Sequence, residues 1–166
     1  MTKEQLKIIQ QLSQMGDVIL VRQDGSRLIL NDEGKVPLKT QLDAVLYFMQ
    51  RLDEGMLKLI LEDSYTYQDF DKKTFLKKLS DVFDEFKEKG NTFLNLYEGK
   101  CNSCLLNKKN RMGFTFIGNK TNHYTDFVFE VKDGKVHDIH ECFDFSTENS
   151  CLLKKGRLSI DDNVPF

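Results

Sequence analysis

Between positions 40 and 60 the apolar residues Leu42, Val45, Leu46, Met49, Leu52, Met56, Leu59 and Ile60 recur at helical spacing and form one face. Asp53, Glu54 and Gly55 interrupt that face. A glycine within a helix costs about 1 kcal/mol relative to alanine, so a kink or a break into two helices is expected near Gly55. A second stripe of Phe75, Leu76, Leu79, Val82, Phe83 and Phe86 predicts a helix over 73–89, with Asp69 or Asp71 as its cap and Gly90 as its stop. Lys77 with Asp81 and Glu85 with Lys89 fall on its solvated side.

After Gly90 the period changes from helical to alternating. Residues 92–97 read as a strand, Met112, Phe114 and Phe116 share one face of the next, and Phe127, Phe129 and Val131 share one face of a third. Asp133-Gly134 is a strong hairpin signal leading into a strand over 136–145. The C-terminal half therefore predicts an antiparallel meander. Residues 63–68, with Tyr65 and Tyr67, read as a short edge strand.

Ahead of this core, Thr2 and Gln5 match a capping box, and Leu6, Ile9, Leu12 and Met15 predict an amphipathic helix over 3–15 that stops at Gly16. Residues 18–21 and 27–30, separated by Gln-Asp-Gly-Ser, predict a hairpin. Pro37 restricts Val36 to extended geometry and marks the start of a new unit. Residues 152–166 either add a short strand or lie across the surface. The expected architecture is one α+β domain over 1–166: a helix-hairpin extension (1–37), helices packed on a curved antiparallel sheet (38–145) and a tail (146–166).

Composition narrows the class. Of 166 residues, 40% are hydrophobic and 13 are phenylalanine, which is enough apolar material to fill a core. A net charge of -2 and a pI near 5.9 give no positive field for nucleic acid or anionic lipid. The opening MTKEQLKIIQQLSQMG has no apolar run of signal-peptide length, and no stretch reaches the ~18 residues that a membrane span needs. A cytoplasmic location is the expectation. The four cysteines are then read as free thiols or metal ligands rather than a disulfide framework.

The most distinctive stretch, 101–145, holds a close cysteine pair and all three histidines. Cys101 and Cys104 have the gap that lets two thiolates face one tetrahedral ion, while His140 and Cys142 lie two apart on a predicted strand, about 6.6 Å along the backbone. The expectation is a structural zinc held by Cys101, Cys104 and Cys142, with His140 or Cys151 as the fourth ligand; buried or idle thiols are the other reading. A thioredoxin-type redox role does not suit a pair that opens no helix. His123 and His137 read as solvated or hydrogen-bonded side chains, and Lys108, Lys109 and Arg111 as a solvated basic loop.

The order of elements from Leu38, with a first helix ending LKLILEDSYTYQ and a second opening DKKTFLKKLSDVF before the long strands, resembles the cone-shaped α+β fold of nuclear-transport-factor-2-like proteins. That superfamily also contains ketosteroid isomerase and limonene epoxide hydrolase. The segments CNSC, GFTFIGN, DFVFEVKDGKV and DIHEC are also similar to small uncharacterised bacterial proteins. The resemblance implies a cone whose interior either carries polar catalytic groups or serves as a binding module. No motif maps the superfamily's catalytic aspartate onto Asp63, Asp126 or Asp138, so no catalytic residue is carried over. The polar residues that a cone pocket would use are Tyr124, Asp126 and Asp138, with His140 beside them.

The function expected first is a cytosolic binding or protein-interaction domain. One alternative is a small-molecule enzyme of the isomerase or hydrolase type. Another is an immunity or antitoxin-type partner.

Overall fold

The computed structural model describes residues 18–21, 27–30, 40–101, 110–142, 145–146 and 156–160. The expected helix over 3–15 lies outside the described residues. Thr40 opens helix α1, Gln41–Gln50, through a capping box in which its hydroxyl accepts from the Asp43 amide and the Asp43 carboxylate accepts from the Thr40 amide. The expected break into two helices near Gly55 is present and falls at Leu52, three residues before the glycine. Leu52 takes a positive φ of 57°, and Asp53 then caps helix α2, Glu54–Ile60, by accepting from the Met56 amide at 3.1 Å. Gly55 lies inside α2. Because the break resets the helical phase, Leu59 leaves the apolar face on which the sequence placed it and is 49% exposed.

β3 (Thr66–Tyr67) and β4 (Phe70–Asp71) form a small antiparallel hairpin, turned by Gln68 and Asp69 at positive φ. Asp71 caps helix α3, Lys72–Glu88, and Gly90 ends it with φ at 97°. All six apolar residues of the predicted stripe are buried. The first residue of α3 ties this helix to the previous one: the Lys72 ammonium donates to the carbonyls of Lys58 at 2.6 Å and Leu61 at 2.8 Å, and to Asp63 Oδ1 at 2.7 Å. A cation thus sits on the carbonyl end of α2, where the helix dipole favours it.

Four long strands follow as an antiparallel meander: β5 (Leu94–Cys101), β6 (Arg111–Gly118), β7 (Tyr124–Lys132) and β8 (Lys135–Glu141). Asp133 and Gly134, both at positive φ, make the tight turn between β7 and β8. β8 ends earlier than expected. Phe145–Ser146, as β9, leaves its line and pairs antiparallel with the far end of β5. β1 (Val18–Val21) pairs antiparallel with β2 (Arg27–Leu30) and runs parallel to β5 through Leu20↔Leu96 and Val21↔Tyr97, so the sheet order is β2-β1-β5-β6-β7-β8.

The core lies between α1, α3 and one face of the meander. Phe114, Phe116, Phe127 and Phe129 occupy that face and are at most 4% exposed. Their rings meet edge-on, Phe114 and Phe129 at 5.7 Å and Phe116 and Phe127 at 6.2 Å between centroids. Buried glutamines satisfy backbone groups at this interface. Gln50 donates to the Leu94 carbonyl at 2.9 Å, while Gln41 donates to the Ile60 carbonyl and accepts from the Val136 amide, each at 2.6 Å.

At the opposite end of the sheet, Asn91 holds the turn between β6 and β7. Its side chain donates to the Phe86 carbonyl and Thr121 Oγ1 and accepts from the amides of Lys120 and Thr121. A Cβ on Gly118 would stand 2.3 Å from Asn91 Oδ1, and four hydrogen bonds prevent that side chain from yielding. Gly118→Ala is therefore expected to cost about 2 kcal/mol in urea unfolding. An unchanged midpoint would show that Asn91 moves freely.

Candidate functional site

Residues that alternate with the buried phenylalanines point to the other face of the meander. Thr115 on β6 pairs with Asp126 on β7, and Val128 pairs with His140 on β8, so Asp126 and His140 share that face. Asp126 is 5% exposed. Thr115 Oγ1 donates to Asp126 Oδ1, and the Arg157 guanidinium donates to Asp126 Oδ2 at 2.8 Å. Both side chains of this ion pair are 6% exposed.

Arg157 arrives on the segment 156–160, which continues along β7 where β8 has ended. The Tyr124 amide donates to the Gly156 carbonyl and the Leu158 amide to the Tyr124 carbonyl, forming a parallel bridge between Tyr124 and Arg157. The guanidinium also donates to the Cys142 carbonyl at 3.1 Å and lies 5.9 Å from the centre of the Tyr124 ring. Leu158 and Ile160, alternating with the polar positions, enter the core.

Glu141 fastens the same segment from β8. Its Oε1 accepts from Ser159 Oγ and from the Ile160 amide, each at 3.1 Å, and from Gln68 Nε2 at 3.2 Å. Gln68 in turn accepts from the Glu141 amide at 2.9 Å, and its own amide donates to Asp138 Oδ1 at 2.9 Å. The β3–β4 turn therefore covers the outer edge of β8 with side-chain and backbone bonds.

Burial raises the Asp126 carboxyl to about 6, against the opposing pull of the Thr115 hydrogen bond and the Arg157 charge. Burial also raises Glu141 despite its bonds from Ser159 and Gln68, and it raises the Tyr124 phenol, with the Asp126 charge adding to the effect. For Asp138 the upward push of burial is outweighed by His140 and the Gln68 amide, which hold it below the usual carboxylate range.

Of the residues nominated from sequence, Tyr124 and Asp126 come together. Asp138 does not join them: it sits opposite Glu130, two pairs beyond the Val128–His140 pair, and serves the Gln68 turn. His140 Nδ1 lies 3.2 Å from Asp138 Oδ2, close enough for an ion pair but too poorly aligned for a hydrogen bond. Cys142 is 4% exposed and is disulfide-bonded, where the sequence suggested a free thiol or a thiolate ligand. Its partner side chain lies outside the described residues, as do the side chains of Cys101, Cys104 and Cys151. Among the described residues no group of three His, Cys, Asp or Glu side chains is arranged to hold a metal.

Of the two histidines read as bystanders, His137 stacks on Tyr65 at 4.5 Å and His123 meets Thr121 Oγ1 at 2.8 Å. Asp63, itself exposed, pairs with the buried Lys72. Arg157, Thr115, Glu141, Gln68 and Ser159 were missed from sequence. A signal existed for two of them, since Arg157-Leu158-Ser159-Ile160 alternates polar and apolar like a strand. No helix among the described residues is long and apolar enough to cross a membrane. No family model, curated protein or solved structure matches the chain.

A carboxyl raised by folding binds its proton more tightly in the native state, so stability is gained on acidification and lost as pH rises through the raised value. Going from pH 7 to pH 5, Asp126 should add about 1 kcal/mol. Glu141 acts in the same direction, whereas the opposite effect of Asp138 falls below that window. Urea unfolding of the native chain and of Asp126→Asn at both pH values isolates the Asp126 contribution. Equal pH dependence in the two proteins would contradict it.

Proposed function

We propose that this chain is a binding or protein-interaction domain rather than a catalyst. One observation carries the reading: the acidic groups that a pocket enzyme would use are spent on internal bonds. Asp126 holds Thr115 and Arg157, Glu141 holds Ser159 and the Ile160 amide, and Asp138 holds the Gln68 amide. A general acid or base must reach a substrate proton within about 3 Å, and groups engaged in this way serve the fold instead.

The order helix, helix, short hairpin, long helix and four-stranded meander supports a nuclear-transport-factor-2-like arrangement for the core, as does the position of the β3–β4 hairpin beside the last long strand. With phenylalanines filling the helix-facing side of the sheet, binding through the outer surface is the use of that fold we infer.

The zinc reading applies to the reduced chain, because a disulfide sulfur lacks the thiolate charge that a zinc ligand supplies. The same disulfide bears on location. Disulfides persist in oxidising compartments, so a cytoplasmic chain would hold Cys142 reduced. Thiol titration of the denatured chain, prepared with and without reductant, followed by zinc analysis of the reduced form, separates these states. A structural zinc requires about one equivalent after reduction, and less than about a tenth removes it.

The interaction reading is tested by in-cell cross-linking of the intact chain and mass spectrometry. The expected result is one recurring protein linked through exposed lysines of α3 such as Lys73 and Lys77. Turnover of a small molecule by the purified chain, abolished in Tyr124→Phe or Asp126→Asn, would replace this reading with an enzyme.

A further inference from the structure

Cys142 stands where the chain leaves β8, and it is held at two of its atoms. Its sulfur is in a disulfide, and its carbonyl accepts from the Arg157 guanidinium at 3.1 Å. Three residues later Phe145 is paired with Cys101 of β5. A stretch of that length spans at most about 11 Å, so the position of Cys142 also governs how the chain reaches that pairing.

Arg157 carries the restraint at Cys142 to the segment 156–160. Its guanidinium donates both to the Cys142 carbonyl and to Asp126 Oδ2, and the side chains of Arg157 and Asp126 are each 6% exposed. A charge pair this far from water persists only while its other donors find acceptors, because desolvation already offsets most of the attraction. Loss of the Cys142 carbonyl leaves a buried donor unmet and shifts the balance toward hydration. The backbone on both sides of Arg157 is bonded to one residue of β7: the Tyr124 amide donates to the Gly156 carbonyl, and the Leu158 amide donates to the Tyr124 carbonyl. Displacement of Arg157 therefore strains the bonds that keep the segment in register. Tyr124 and Asp126, 8% and 5% exposed, are shielded in part by the same guanidinium.

We propose that the Cys142 disulfide is a redox latch. Oxidised, it holds the segment 156–160 against β7 and keeps Tyr124 and Asp126 buried; reduced, it releases the segment and opens both residues to solvent. The reductant is a dithiol. One of its thiolates attacks a sulfur of the disulfide to form a mixed disulfide, and its second thiol displaces that bond, so two electrons and two protons leave two cysteine thiols and an oxidised dithiol. The latch concerns the order of the chain itself and stands apart from the interaction reading above.

The test compares the intact nitrogen-15-labelled chain, oxidised and after dithiothreitol treatment, with a chelator present so that no metal ties the released thiols. Backbone order parameters at Arg157, Leu158 and Ile160 should be about 0.85 in the oxidised chain and below about 0.6 in the reduced one, while Leu79 in α3 stays near 0.85 in both. Cys142→Ser should show the reduced pattern in either buffer. Rigid residues 157–160 after reduction overturn the proposal, as does a Cys142→Ser chain as rigid there as the oxidised protein. Loosening of Leu79 in step with the segment also overturns it, because the disulfide would then support the whole fold. So does the titration of all four cysteines as thiols when the untreated chain is denatured.

Discussion

The fold depends on shielding one phenylalanine-rich face of a four-stranded meander. Phe114, Phe116, Phe127 and Phe129 lie on adjacent strands, and water is kept from them by α1 and α3 with Phe48, Phe75, Phe83 and Phe86. Each large ring removed from water contributes about 2 to 3 kcal/mol, more than any surface ion pair in the molecule can supply. This burial has a consequence for polar groups. Backbone donors and acceptors trapped under the helices need partners, and Gln41, Gln50 and Asn91, each at most 2% exposed, provide them. The polar residues of the core thus follow from the apolar ones.

The opposite face is organised by a buried charge pair. Placing Asp126 and Arg157 out of water carries a desolvation penalty that their attraction only partly offsets, so such a pair is weak as a source of stability and strong as a constraint on geometry. Its function here is positional. Arg157 reaches both Asp126 and the carbonyl of Cys142, and Glu141 receives Ser159 and Ile160, so the segment 156–160 lies in one register against β7. Cys142 is fixed twice, through its carbonyl by Arg157 and through its sulfur by a disulfide. The end of β8 is consequently a fastening point.

The sheet also shows how its last edge is closed. β8 has no strand on its outer side among the described residues, yet Gln41 accepts from the Val136 amide and Gln68 pairs with Glu141 in the manner of a neighbouring strand. Two side chains and a tight hairpin therefore do the work of a strand, and they leave little edge for another chain to add to.

From sequence, the elements fixed by neighbours in the chain were legible. The stripe of α3, a cap at Asp69 or Asp71, the stop at Gly90, the alternating phenylalanines and the Asp133-Gly134 turn all follow from spacing and local backbone chemistry, which act within a few residues; of the two aspartates, Asp71 is the cap. Where several local solutions competed, tertiary structure chose. The break expected near Gly55 fell at Leu52, where burial of Leu52 and capping by Asp53 fix its position. Tyr124 and Asp126 were nominated as polar residues for a cone pocket, but their partner Arg157 stands 31 residues from Asp126, and Gln41 meets the Val136 amide across 95. Contacts of that separation depend on how layers stack, and no local pattern encodes them. Periodicity and turn chemistry by themselves determined the helices, the meander and its apolar face; only the packed molecule decided which polar groups meet, because pairing in a dry interior is set by which groups would otherwise be left unsatisfied.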